Sequence, residues 1–143
     1  MYLTYEGADA ADIEPICRFC KELIDRYEKL QNIDYDAVLA WERKKVEDNL
    51  KDYQRVLCNG KKVGYFCFCQ VDNKMEIDDL YIFPCFRGHG IGTEIIRKCC
   101  SETTLPVFLY VFIQNLSAVA LYKRLGFRIV QSIKDSRYIM QRD

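Results

Sequence analysis

The sequence predicts an α+β domain built on a mixed, mostly antiparallel sheet with one parallel strand pair. Three observations carry this reading. Residues 53–83 hold three runs rich in Val, Ile, Phe, Tyr and Cys, separated by the turn sequences Asn59-Gly60 and Asp72-Asn73-Lys74. Successive strands joined by tight turns form an antiparallel meander. Residues 75–112 then read strand, helix, strand, and such a crossover places its two strands parallel. A helical stripe of apolar side chains over residues 9–29 precedes both. The full order is β-α-α-β-β-β-α-β-α-β-β, and residues 1–143 read as one domain, an ordinary size for a single core.

Each element follows from local chemistry. Met1–Tyr5 is a short strand. Ile13, Ile16, Cys17, Cys20, Leu23, Ile24 and Tyr27 recur at spacings of three and four, on one face of a helix opened by Asp9 and Asp12. A weaker helix spans about Asp36–Leu50, with Asp34 or Asp36 as its cap and Val38, Leu39, Val46 and Leu50 as its apolar set. Tyr53–Cys58, Val63–Val71 and Met75–Phe83 are the meander, stopped by Pro84. After Gly90 a helix runs to about Thr103 with Ile91, Ile95, Ile96 and Cys99 inward. Leu105–Phe112 is almost wholly apolar, as suits a strand covered on both faces. Ser117–Leu125 is a short helix ended by Gly126, a left-handed cap. Phe127–Ser132 and Arg137–Gln141 close the chain as a hairpin around Lys134-Asp135-Ser136.

Composition excludes several functions. Lys and Arg number 21 against 21 Asp and Glu, so the formal net charge is zero, and nucleic acid is not the expected partner. The chain is 50% hydrophobic, too much for disorder. No apolar stretch approaches the ~20 residues that span a bilayer. The N-terminus has neither a basic nor an apolar signal region, so a cytoplasmic protein with reduced thiols is expected. Of the eight cysteines, only Cys17 and Cys20 have metal-ligand spacing, and both lie in an apolar helical stripe. Structural zinc needs four ligands, so no metal is expected.

The segment Arg87-Gly88-His89-Gly90-Ile91-Gly92-Thr93 follows a strand and opens a helix. Its glycines let the backbone turn sharply and approach a ligand. The helix start offers unpaired N–H groups and the positive end of the dipole, a cradle for phosphate or pyrophosphate. The Gly-Lys-Ser/Thr of a nucleotide P-loop is missing. So are the GxGxxG spacing and the distal acid of a dinucleotide site.

Residues 80–92, Leu80-Tyr81-Ile82-Phe83-Pro84-Cys85-Phe86-Arg87-Gly88-His89-Gly90-Ile91-Gly92, resemble the acetyl-CoA signature of the GNAT superfamily of N-acetyltransferases, (Q/R)-x-x-G-x-(G/A) after a strand. Residues 115–127 resemble a second motif of that superfamily, N-x-x-A-x-x-L-Y-x-x-x-G-F, in the matching order and separation. Residues 1–50 carry no specific motif. The resemblance implies a parallel pair that splays at the cofactor site. It implies that Arg87, Gly88, His89, Gly90, Ile91, Gly92 and Thr93 hold the pyrophosphate of acetyl-CoA. The backbone of Leu80, Tyr81 and Ile82 would hold the pantetheine arm, with the N–H near Ile82 polarising the thioester carbonyl. Asn115 matches a cofactor contact, though a helix cap is an equal local role. Tyr122 matches the tyrosine that protonates the departing thiolate in many relatives.

Acyl transfer to an amine also needs a base. Glu76, Asp78 and Asp79 crowd the strand that leads to the cofactor. Alternation places Glu76, Asp78, Leu80 and Ile82 on one face and Asp79 with Tyr81 on the other, unless a β-bulge changes the phase. By resemblance, Glu76 is the first candidate for the base and Asp79 the second. His89, the single histidine, lies within the phosphate loop, away from proton transfer. The expected reaction is acetyl transfer from acetyl-CoA to a primary amine on a small cationic molecule: a polyamine, an aminoglycoside-like amine or an amino acid. The alternatives are acetylation of a protein N-terminus or lysine, and a non-catalytic acyl-CoA-binding or sensing domain. Tyr27, Tyr35, Trp41 and Tyr138 could line an acceptor pocket. Phe66, Phe68, Phe108 and Phe112 permit a homodimer, although a buried core explains the same residues.

Overall fold

A computed structural model describes residues 2–143; Met1, placed in the first strand above, lies outside them. Among the described residues seven strands form one sheet in the order β1-β2-β3-β4-β5-β7-β6. They are β1 (Leu3–Gly7), β2 (Tyr53–Cys58), β3 (Lys61–Val71), β4 (Lys74–Ile82), β5 (Val107–Phe112), β6 (Arg128–Ile133) and β7 (Arg137–Arg142). Helices α1 (Ile13–Tyr27) and α2 (Tyr35–Asp48) cover one face, and α3 (Ile91–Ser101) and α4 (Leu116–Arg124) the other. Every neighbouring pair is antiparallel except β4 with β5. None of the described helices is long and apolar enough to cross a membrane.

The meander runs as its turns require. Asn59 and Gly60 both hold positive φ, 53° and 84°, as a two-residue hairpin whose twist matches the strands demands. The first helix does not start at residue 9. Asp9 accepts from the Ala11 N–H while its own N–H donates to Asp12, which closes a 3-10 turn over Ala10–Asp12 before α1 begins. Asp34 caps α2 by accepting from the Ala37 N–H. Of the apolar set expected in α2 only Val46 is fully buried.

The larger core lies between the sheet and α3/α4. Ile91, Ile95, Ile96, Cys99 and Val119 pack on Val56, Phe66, Ile77, Leu109 and Met140. Side chains of this size contribute roughly 1.5–3 kcal/mol each when fully buried. The smaller core lies under α1 and α2, where Ile16, Cys20 and Val46 meet Tyr53, Tyr65 and Cys67. Phe66 and Phe108 are buried in the fold itself.

Two features of the central strands shape the site. The β4–β5 pairing is short: it covers Met75 opposite Val107 and Glu76 opposite Phe108 and goes no further. Above Glu76 the two strands part. The second feature is a β-bulge. Tyr65 faces Tyr81 and Cys67 faces Asp78, so two steps along β3 are met by three along β4. The extra step falls at Asp79, whose φ is +47°. A left-handed backbone at a residue with a Cβ costs about 1 kcal/mol.

Candidate active site

The bulge decides what β4 presents and overturns the simple alternation expected from the sequence. Met75 and Ile77 lie on the α3/α4 face, and so do Leu80 and Ile82. Glu76 and Asp78 therefore point to the α1/α2 face, where Asp79 also meets Cys20 and Tyr53. The physical reason is the added residue, which inverts the period-two phase of everything after it.

The backbone edges invert with the side chains. Met75 N–H turns toward β5 and donates to Pro106 O at 2.9 Å. Phe83 N–H turns the other way and donates to Val63 O at 2.9 Å, beside β3. Alternation from Phe83 then directs the N–H and C=O of Ile82 into the gap that β5 has left. Without the bulge those of Tyr81 would take that place.

The glycine loop stands at the end of this gap. Gly88 and Gly90 hold φ of 81° and 82°, and a Cβ on either would meet nothing within 4 Å. The loop is thus turned by glycine and open in front. Gly90 caps α3 in a left-handed conformation, so the first amides of α3 face outward from the loop. Arg87 folds back: Nε donates to Ile82 O at 2.8 Å, and the guanidinium lies 5.0 Å from the Tyr81 ring centre. Thr93 lies in the first turn of α3. His89 is exposed, with Nδ1 3.1 Å from Phe86 O. Open glycine positions, outward amides and a nearby arginine suit a pyrophosphate.

Tyr122 lies on α4, on the same side of the sheet as this loop, with its ring 6.0 Å from that of Phe127. Burial alone pushes its phenol up to about 12, which keeps it protonated at neutral pH. Asn115 precedes α4 without a side-chain cap bond to the helix; it accepts instead from the Ser117 hydroxyl at 3.4 Å.

Glu76 sits where β4 and β5 part, opposite Phe108. Burial, reinforced by the Asp78 charge and opposed by Lys45, pushes its carboxyl up to about 7. Asp78 and Asp79 stand in a different setting. The Lys45 ammonium on α2 lies 2.9 Å from Asp78, 3.3 Å from Asp79 and 3.1 Å from Glu42. The Tyr53 hydroxyl donates to Asp79 Oδ2 at 2.5 Å, and Cys20 Sγ lies 3.5 Å from Oδ1. Burial works against the lysine charge, but the Asp79, Asp78 and Glu42 carboxylates outweigh it and raise the ammonium's pKa. Cys20, Glu42 and Asp79 also place one ligand atom each within 4.8 Å of one another. The cation among them is Lys45.

A model of the acetyltransferase (GNAT) family matches residues 16–127. The chain belongs to this family. An uncharacterised N-acetyltransferase of Methanocaldococcus jannaschii is 36% identical over 87 residues, which cover 53% of this chain and 38% of that protein. Thialysine N-epsilon-acetyltransferase of Mus musculus is 35% identical over 82 residues, 51% of this chain and 46% of that protein. N-alpha-acetyltransferase 50 of Danio rerio is 32% identical over 87 residues, 54% of this chain and 51% of that protein. The chain thus spans about half or less of the length of these relatives. The crystal structure of PaiA N-acetyltransferase from Thermoplasma acidophilum, in complex with coenzyme A, shares the fold. The TM-score is 0.73 at 16% identity, over 100% of this chain and 99% of that one.

In this GNAT domain the aromatics singled out for the acceptor have different neighbours. Tyr27 stacks on Phe112 with ring centres 5.8 Å apart, and the Tyr35 hydroxyl donates to Asp25. Trp41 is exposed on α2, and Tyr138 packs against the core on the α3/α4 side. Strand β5 is not covered on both faces. Tyr110 is 44% exposed in mid-sheet, next to Phe108 with ring centres 6.0 Å apart and on the Glu76 face. Lys45, Tyr53, Phe108 and Tyr110 are the site residues that sequence reasoning missed. The alternation of β5 against the Glu76 register would have found the last two. Nothing local marks Lys45 as the partner of residues 33 and 34 positions away.

Proposed function

We propose that this GNAT domain transfers an acetyl group from acetyl-CoA to a primary amine, with Glu76 as general base and Tyr122 as general acid. The observation that carries the proposal is the Glu76 carboxyl. It stands at the parting of β4 and β5, is pushed up to about 7, and has no ion-pair partner among the described residues. A base poised near the operating pH is the one acyl transfer to an amine requires. Asp79, the second candidate from the sequence, is engaged by Lys45 and Tyr53, which favours Glu76.

In the proposed reaction Arg87, Gly88, Gly90, Ile91, Gly92 and Thr93 hold the pyrophosphate of the donor, with His89 at the loop surface. The backbone of Leu80, Tyr81 and Ile82 lines the pantetheine path. Glu76 accepts a proton from the acceptor ammonium, freeing the nitrogen lone pair to form the C–N bond. The Ile82 N–H faces the oxygen on which negative charge gathers. As the C–S bond breaks, the Tyr122 hydroxyl delivers its proton to the sulfur, and the second proton that the nitrogen sheds on becoming an amide restores the phenol. Asn115, near the start of α4, is assigned to the donor side.

The acceptor is proposed to be a small cationic amine. The Glu76 carboxylate and the faces of Phe108 and Tyr110 offer a cation both charge and π-density. Asp78 and Asp79 are already engaged by Lys45, which leaves Glu76 as the carboxylate of this strand without an ion-pair partner among the described residues. A protein N-terminus is the second reading, favoured by the likeness to N-alpha-acetyltransferase 50. Thiol release from acetyl-CoA, measured across polyamines, aminoglycosides, amino acids and peptides, separates them. Turnover with a small amine supports the first reading, and turnover with peptides alone supports the second. Acetyl-CoA binding without any turnover would overturn both and leave a sensing domain.

A further inference from the structure

The strained residue of β4 is held by side chains from three other elements. Asp79, at φ +47°, takes the Tyr53 hydroxyl from β2, the Cys20 thiol from α1 and the Lys45 ammonium from α2. Its own N–H donates to Asp78 Oδ1 at 2.9 Å, and the other oxygen of Asp78 returns to Lys45 at 2.9 Å. One ammonium therefore closes a ring through both carboxylates of the bulge. Such a ring is more than is needed to attach α2 to the sheet, a task Val46 performs in the adjacent core. What the ring does fix is the phase of β4. If the bulge relaxed, Ile82 N–H would leave the gap and Tyr81 N–H would replace it.

We propose that Lys45 is a positioning residue for the acyl donor: by pinning Asp78 and Asp79 it holds the bulge that aims the Ile82 backbone into the gap between β4 and β5. This rests on the reading that acetyl-CoA occupies that gap. Removing the ammonium leaves the carboxylates of Glu42, Asp78 and Asp79 together without a cation, with Asp79 already in a left-handed conformation, and repulsion and strain both favour relaxation of the bulge. Glycine adopts positive φ without help, so at position 79 it makes the clamp unnecessary.

The test is calorimetric titration with acetyl-CoA, together with KM for each substrate. Lys45→Met is expected to weaken acetyl-CoA binding about tenfold and raise its KM in proportion, with the acceptor KM changed less than about twofold. Lys45→Arg is expected to recover most of the affinity. In an Asp79→Gly background, Lys45→Met is expected to change affinity less than about twofold, because the bulge no longer depends on the clamp. That comparison also serves if Lys45→Met alone fails to fold. A folded Lys45→Met variant that binds acetyl-CoA as the parent does would overturn the inference and leave the proposed function intact. So would a tenfold loss that persists in the Asp79→Gly background. A parent protein that binds no acetyl-CoA would overturn both.

Discussion

In the proposed reaction the environment divides the proton chemistry between Glu76 and Tyr122. Burial lifts a carboxyl to about 7, where it can take a proton, and a phenol to about 12, where it keeps one to give. The same burial has a stability consequence. The Glu76 carboxyl in the folded protein holds its proton more tightly than a free glutamate, which titrates at about 4.5. Its contribution to folding is therefore fully present below about 4.5 and declines as pH rises through about 7. Above that range this contribution is lost. Glu76→Gln is accordingly expected to melt higher than the parent at pH 8 and nearly with it at pH 4, as thermal unfolding at the two pH values would show. Tyr122→Phe keeps the ring and removes the proton donor. It is expected to lower kcat by 10²–10⁴ while changing stability by less than about 1 kcal/mol. Both residues were candidates from the sequence, Glu76 from a crowd of carboxylates and a resemblance, Tyr122 from a motif. The role of Asp79 was not, because its partners Lys45, Tyr53 and Cys20 come from three other elements.

At the scale of elements, turns and helices were the readable part. Asn59-Gly60, Gly90 and Gly126 each hold the positive φ that glycine and asparagine tolerate. The stripe of α1 and the inward set of α3 recur at helical spacing. The phase of β4 was unreadable because a bulge is a property of two paired strands, and no pattern in residues 74–82 announces it. Strand β5 misled for a related reason: an apolar run does not reveal that helices leave Tyr110 uncovered. Gly64 marks the closest approach of the paired strands, since a Cβ there would lie 2.1 Å from the backbone oxygen of Tyr81. Gly64→Ala must displace β4 backbone and is expected to cost more than about 3 kcal/mol. Gly90→Ala has open space around its Cβ and only the left-handed conformation to bear, about 1–2 kcal/mol. Urea unfolding midpoints of the two variants compare these costs directly, and an equal loss would contradict the close approach at Gly64.

The molecule as a whole joins a sheet with helices on both faces to a gap where its parallel pair parts, and the GNAT family match covers most of that framework. The strand order was legible because short turns force antiparallel neighbours and a helical crossover forces a parallel one. The layout of the proposed acceptor side was not, because Phe108, Tyr110 and Glu76 meet only through sheet register. A ligand that binds only the folded chain stabilises it by about 2.7 kcal/mol at a hundredfold excess over Kd. Acetyl-CoA at that excess is expected to raise Tm by roughly 8 °C, and desacetyl-CoA nearly as much, because the contacts proposed for the glycine loop and backbone edge fall on parts common to both. The central claim, that a carboxyl lifted by its place at the strand parting drives the transfer, is tested most directly by kcat/KM against pH for the parent and Glu76→Gln, using an acceptor found by thiol release. The account expects the parent to show an ionisation near pH 7 on its rising limb, with the variant losing that ionisation and 10²–10⁴ in rate. A Glu76→Gln enzyme that keeps both the limb and the rate would contradict it.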